Sequence, residues 1–345
     1  MPIDLLKFPN DLLREVFRLC DPFQLYKLSK CSKKCSQKAI TLSERKNWKI
    51  TYCGGNVITI WVDGSNYNFN QADYPEDYFQ MSLGRYSNYM DIEFPNGGGA
   101  DLFIYLIDTL GIGSVKLMEI TFGTIANVAK VAKILADRNM EIEKFVIGNV
   151  EEVQDVVNFM TTLSQMKISQ EFHCFLNFPP DFHFEFVKYP RKVSITDSSW
   201  FTIDQLLNCT SVWIELENSS FNNHDLDVFL QEWKKTGTFP NFRRLRIQSD
   251  LIDNRSPILE MNLPIENVDY PKIGVSINGH SEIVDPVRVT KDDGTIGWLK
   301  VDVGNWSELN FLILFGIQID KLQRRSSGYC GGGTTVVEEL GRRNR

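Results

Sequence analysis

Leu5-Leu6-Lys7-Phe8-Pro9-Asn10-Asp11-Leu12-Leu13-Arg14-Glu15-Val16-Phe17 opens the segment whose periodicity decides the N-terminal fold. From Asp11 to Cys20 the apolar residues recur at helical spacing in two adjoining ridges. One is Leu12, Val16 and Leu19; the other is Leu13, Phe17 and Cys20. A stripe about 100° wide is enough for a helix lying on a globular core, so two ridges exceed what a small unit needs to bury. Pro9 fits a first-turn position, where its missing N–H goes unused. Asp21-Pro22 is a stop and restart, with Asp as N-cap and Pro just after it. The second helix carries Phe23, Leu25, Tyr26 and Leu28. Ser32 is placed to cap a third, basic helix running through Ile40 with Lys33, Lys34 and Lys38. Three helices in forty residues lie near the lower limit of independent stability. The wide apolar surface therefore meets either the rest of the chain or another protein, and periodicity does not choose between them.

The 345 residues are enough for two or more domains. With 43% hydrophobic and 23% charged residues, the composition is that of a folded, soluble protein. Charge is unevenly spread. Residues 1–50 hold 11 Lys/Arg against 5 Asp/Glu, a net +6, and the remainder holds 26 against 39, a net −13. An acidic main body argues against a general nucleic-acid surface. Seven cysteines, an odd number at irregular spacing, suggest no disulfide framework. The N-terminus reads as a capped helix rather than a leader. The longest apolar runs, near 102–110 and 311–319, fall short of the roughly 20 residues that span a bilayer. An intracellular location, cytoplasm and/or nucleus, with no membrane contact, is expected.

After Trp48 the character changes to strand. Val57–Val62 is β-branched between Gly54-Gly55 and Asp63-Gly64, a hairpin signal. Residues 64–100 are mixed and aromatic, ending in the loop Gly97-Gly98-Gly99. Helix-like and strand-like segments then alternate. Helices are expected at 102–110, 125–139, 150–163, 201–207 and 222–233. Strands are expected at 115–122, 144–147, 172–176, 193–195, 212–216 and 245–247. The strand spacing of 20–30 residues is that of leucine-rich and related solenoids, without the strict leucine consensus. A parallel sheet with helices on its other side follows. Residues 273–277, 287–289, 296–303 and 309–317 read as further strands, with Asp292-Asp293-Gly294 as a hairpin turn.

Two sets of motifs resemble a known family. Residues 6–17 with Leu25-Tyr26-Lys27-Leu28-Ser29-Lys30-Cys31-Ser32-Lys33-Lys34 look like an F-box, and more narrowly like that of the large nematode F-box families. A leucine–proline start, a valine-centred first helix and a leucine–serine–x–cysteine–serine–basic turn recur there; Phe8 stands where leucine usually precedes the proline. Trp200-Phe201-Thr202-Ile203-Asp204-Gln205-Leu206-Leu207, the block from Asn223 to Trp233, and Phe242-Arg243-Arg244-Leu245-Arg246-Ile247 resemble core blocks of the type-2 F-box-associated domain. Arg288 to Gly294 resembles its closing hairpin. The family often has Asn where Asp227 sits. Leu226, Phe229, Leu230 and Trp233 share one helix face, so these motifs read mainly as scaffold, with Asp204 and Asp225 as cap or first-turn residues.

The expected fold class is α+β / α/β. A small three-helix F-box (3–45) and a β-rich connecting segment (46–100) come first. An F-box-associated domain (101–320) follows, an irregular leucine-rich-repeat-like β–α array with flanking antiparallel hairpins, and then a disordered tail (323–345). The resemblance implies docking to a Skp-type adaptor, and through it to a cullin ubiquitin ligase. Leu6, Pro9, Leu12, Leu13, Val16, Phe17, Leu25 and Leu28 would carry that contact. The remainder would bind an unknown protein substrate. The alternative is an F-box-containing scaffold not coupled to ubiquitination. No catalytic residue, cofactor or metal is expected. Cys31 and Cys35 lie one helical turn apart but lack the second pair of a structural zinc site. Gly111-Ile112-Gly113 lacks the third glycine of a dinucleotide loop.

Overall fold

The computed structural model describes residues 7–42, 47–268, 272–276, 282–314 and 323–325. It is a mixed α/β structure with a small helical N-terminal region, in two compact units divided between Asp197 and Ser198.

In the first unit α1 (Asn10–Leu19), α2 (Pro22–Cys31) and α3 (Lys33–Leu42) come first. The restart at Asp21-Pro22 is a complete capping box. The Asp21 carboxylate accepts from the Gln24 backbone N–H at 2.8 Å, and the Gln24 side chain accepts from the Asp21 N–H at 3.0 Å. Ser32 accepts from the Cys35 N–H at 3.0 Å. Pro9 is the N-cap of α1, one position earlier than a first-turn residue.

The sheet of this unit contains β1 (Lys49–Tyr52), β2 (Val57–Val62), β3 (Ser65–Gln71), β4 (Met81–Leu83), β5 (Ser87–Ile92), β6 (Ser114–Ile120), β7 (Glu141–Ile147), β8 (Lys167–Cys174) and β9 (Lys192–Ile195). Their spatial order is β4-β5-β3-β2-β1-β6-β7-β8-β9. β1 pairs parallel with β6, and parallel pairing continues through β9. α4 (Gly98–Leu110), α5 (Ile125–Asp137) and α6 (Val153–Leu163) are the crossovers. Alternate strand residues are fully buried, among them Ile50, Val115, Ile142, Phe145, Phe172 and Val193. Phe145 stacks on Phe159 of α6 at 6.0 Å, and Tyr52 packs on Phe103 of α4 at 4.9 Å.

The expected alternation is present, with β8 beginning five residues earlier than read. Residues 64–100, read as mixed and aromatic within a β-rich segment, hold β3, β4 and β5. The expected loop Gly97-Gly98-Gly99 is partly helix: α4 begins at Gly98. A Cβ on Gly99 would lie 2.7 Å from the Gly55 carbonyl oxygen, so this approach of two backbones needs glycine.

In the second unit α7 (Ile203–Asn208), β10 (Trp213–Leu216), α8 (Asn223–Lys234) and β11 (Arg244–Gln248) continue the alternation, with β10 and β11 parallel. β14 (Val287–Thr290), β15 (Ile296–Asp302) and β16 (Glu308–Ile313) form an antiparallel meander whose last strand pairs with β11. The expected turn is there, Gly294 taking φ +88°. β12 (Lys272–Val275) lies between β13 (Ile283–Val284) and β17 (Gln323–Arg325) in a small second sheet. The expected strand residue Ile277, the end of 309–317 from residue 315, and the tail other than Gln323–Arg325 lie outside the described residues.

Thr202 and Asn222 are the N-caps of α7 and α8, reciprocated by Gln205 and Asp225. Leu226, Phe229, Leu230 and Trp233 are all at most 1% exposed. The Lys291 ammonium donates to the Thr238 carbonyl, and the Asp292 N–H to that of Lys234 at 2.9 Å. The β14–β15 turn is thereby pinned to the end of α8.

Trp233 meets Phe311 edge to face at 4.7 Å. A Cβ on Gly297 would lie 2.5 Å from the Phe311 ring and 3.0 Å from that of Trp233. Gly297→Ala is expected to destabilise this unit by about 1–3 kcal/mol through overpacking, read as a lower midpoint in urea denaturation followed by tryptophan fluorescence.

Candidate functional site

The two ridges of α1 face different surroundings. Leu13 and Phe17 are 0% exposed, and Cys20 is half-buried with its thiol donating to the Val16 carbonyl at 3.2 Å. This ridge holds the helices together. On the other ridge Leu12 is 48% and Leu19 81% exposed, with Val16 half-buried between them. Phe8, 36% exposed, and exposed Pro9 lie just before the helix. The ion pairs Arg14–Asp11 at 3.1 Å and Arg18–Glu15 at 2.9 Å occupy the polar face. The outward ridge itself is uncharged.

Of the eight residues expected to meet an adaptor, Pro9 and Leu12 are exposed, and Val16 and Leu28 are half-buried. Leu13, Phe17 and Leu25 are buried inside the chain. Leu6 lies outside the described residues. Leu19, the most exposed of the α1 ridge, was not among the eight. Helical spacing identified its ridge but carried no signal of which ridge turns outward.

The apolar face of α2 is occupied by the chain itself. Phe23 meets the edges of Tyr67 and Phe69 on β3, both at 5.1 Å. Tyr26 lies 5.3 Å from Phe69 and 6.1 Å from Tyr105 on α4. The Ser29 and Tyr105 hydroxyls share a hydrogen bond of 2.7 Å. The Lys30 ammonium sits 4.2 Å from the Tyr105 ring centroid, a cation–π contact. Burial, with Tyr105 and Glu93 nearby, pushes the Tyr26 phenol far above its ordinary value. The helical segment is thus fixed on the first unit by aromatic packing.

The face of that unit's sheet opposite its helices carries paired charges. Lys49 pairs with Glu143 at 2.6 Å, Lys144 with Glu171 at 3.0 Å, and His173 with the same Glu171 at 3.0 Å. Lys116 lies 3.2 Å from the Trp61 ring centroid. Burial and then Lys144 hold the His173 imidazole below its ordinary value, against the pull of Glu171. Burial raises the Glu171 carboxyl, but Lys144 and His173 outweigh it and leave it below its ordinary value. Phe122 and Phe175, 68% and 50% exposed, follow β6 and β8. A cleft of about 550 Å³ opens between α6 and residues 179–185, with Met160, Phe182 and Phe184 among its lining. In the second unit Arg246 bridges Glu217 at 2.9 Å and Glu308 at 2.8 Å, and Trp306 is 72% exposed.

Cys31 is exposed and Cys35 buried. Among the described residues no group of three His, Cys, Asp or Glu side chains is arranged to hold a metal, and no helix is long and apolar enough to cross a membrane.

Residues 5–46 match the F-box domain family, and residues 181–247 match the F-box-associated family. The chain carries both domains, in the order their motifs suggested. No curated protein and no solved structure matches the chain.

Two outcomes are expected here. Leu12→Glu leaves the helical circular dichroism of the N-terminal segment intact, whereas Phe17→Asp melts it, because only the second buries an unpaired charge. For His173, the unfolded chain takes up its proton first as pH falls through the ordinary value of 6.5. Stability contributed by the neutral folded form is present above that value and lost on acidification. His173→Gln should flatten the fall in melting temperature between about pH 7 and pH 5.

Proposed function

We propose that this chain is the substrate receptor of a Skp–cullin–F-box ubiquitin ligase. F-box domains generally bind Skp-type adaptors. The observation that carries the reading is the outward apolar ridge Leu12–Val16–Leu19 within the matched F-box, left uncovered while the inward ridge and α2 are used by the chain. Pro9 and Leu28 extend the contact. Leu13, Phe17 and Leu25 support it from beneath by fixing a compact three-helix module.

The remainder presents surfaces to a target protein. The succession of parallel β–α units supports a leucine-rich-repeat-like reading, and repeat arrays bind through extended faces. Paired charges, exposed aromatics and a cleft suit a protein target better than a nucleic acid. The chain supplies no nucleophile. It raises the effective concentration of target lysines beside a ubiquitin carrier held by the same complex. Such a receptor works inside the cell.

The test is capture of a purified Skp-type adaptor by the full chain. Leu12→Glu and Val16→Glu should each weaken capture by on the order of 100-fold without changing the circular dichroism. Undiminished capture by both variants overturns the docking face. The scaffold alternative is separated by co-purification from cells: adaptor without cullin supports it, and adaptor with cullin supports the ligase.

A further inference from the structure

Large exposed apolar side chains gather around β4, on both faces of its edge. Tyr74 and Tyr86 are 62% exposed, Phe79 and Tyr89 44%, Met81 47% and Leu83 70%. A concentration of this kind marks an interaction site. β4 is also the edge of the first unit's sheet: it pairs with β5 on one side, and the sheet order ends with it. Natural edge strands are guarded by lysine, proline, a bulge or a covering element. Met81-Ser82-Leu83 carries neither lysine nor proline, and all three residues are exposed.

The direction of the free backbone groups follows from the register. Met81 pairs with Met90, Ser82 with Tyr89 and Leu83 with Asn88. The Asp91 N–H donates to the Gln80 carbonyl at 3.1 Å, and the Gly84 N–H to that of Ser87 at 3.1 Å. Antiparallel strands alternate in the direction of their backbone groups. The Gln80 carbonyl, Ser82 and the Gly84 N–H therefore bond inward to β5, the Gln80 N–H turning instead to the Asp77 carbonyl at 3.0 Å, and Met81 and Leu83 turn their N–H and C=O groups to the open edge. On the side chains, Lys27 of α2 reaches the Met81 sulfur at 3.2 Å. Leu83 lies two residues further along the same face, beyond that contact.

We propose that this edge pairs with β4 of a second copy of the chain, joining two first-unit sheets across a two-fold axis at Ser82. With Met81 of one copy opposite Leu83 of the other, all four outward backbone groups of each strand are used, in four hydrogen bonds. Leu83 of each copy then covers the Met81 side chain and Lys27 stem of its partner. The two Ser82 residues meet on the axis, flanked on the same face by the Tyr89 residues. The charges agree with the pairing: exposed Arg85 of one copy faces the turn of the other that carries Glu76 and Asp77. A patch holding both signs about its own axis complements a copy of itself, as an isologous interface requires.

The full chain in a Cys31→Ser background is the material for the test, because Cys31 is exposed. Sedimentation equilibrium should give twice the chain mass at micromolar concentration. Met81→Lys with Leu83→Lys should weaken self-association by on the order of 100-fold with unchanged circular dichroism. Independently, Ser82→Cys should form a disulfide-linked dimer under mild oxidation. Directly opposed residues of a non-hydrogen-bonded pair have Cα atoms about 4.5 Å apart, within disulfide reach. Gln80→Cys, off the axis, should not cross-link. A monomeric parent overturns the proposal. So does a dimer that survives both lysines, or one that cross-links through Gln80→Cys and not Ser82→Cys.

Discussion

Tyr26 and Phe23 are the residues through which the N-terminal helices become part of a larger body. Each inserts an aromatic ring among Tyr67, Phe69 and Tyr105 at centroid distances of 5.1–6.1 Å. Edge-to-face pairs of this kind contribute about 0.5–1.5 kcal/mol each beyond the area they bury. A forty-residue helical module has too little interior to be stable alone. Packing α2 on β3 and α4 supplies the missing core, and it frees α1 to keep one ridge uncovered.

The parts of the structure legible in the sequence were those governed by short-range rules. Asp21-Pro22 and Ser32 sit where side-chain capping competes best for backbone donors, whereas Thr202, the N-cap of α7, was not read as one. The strands β6 to β11 were visible because short apolar runs recur between helical stripes. Less visible was anything set by a distant partner. β3 pairs parallel with β5 while β4 returns outside it, and no local periodicity encodes that order. The two ridges of α1 were identical to a periodicity argument, although one is buried within the chain and the other faces water. Gly98 and Gly99 read as loop because helix propensity disfavours them; the backbone contact at Gly55 that requires glycine comes from 44 residues away.

The charged residues of the open sheet faces are arranged largely among themselves. Lys144 and His173 converge on Glu171, and Arg246 is shared by Glu217 and Glu308. Cross-strand pairs of this kind fix side-chain orientation more than they stabilise. They leave little uncompensated field for a polyanion.

The parallel strands also act as a ruler. α2 is anchored on β3, and β9 lies six strand steps away in the order β3-β2-β1-β6-β7-β8-β9. Each step is about 4.8 Å, so the span is on the order of 29 Å along the sheet. Inserting or deleting one β–α unit between β6 and β9 would shift the far strands by one step. It would leave the aromatic anchor and the outward ridge of α1 untouched. Spacing is therefore quantised in this architecture: a change in the number of β–α units alters how far β9 lies from the helical end without altering the packing at that end.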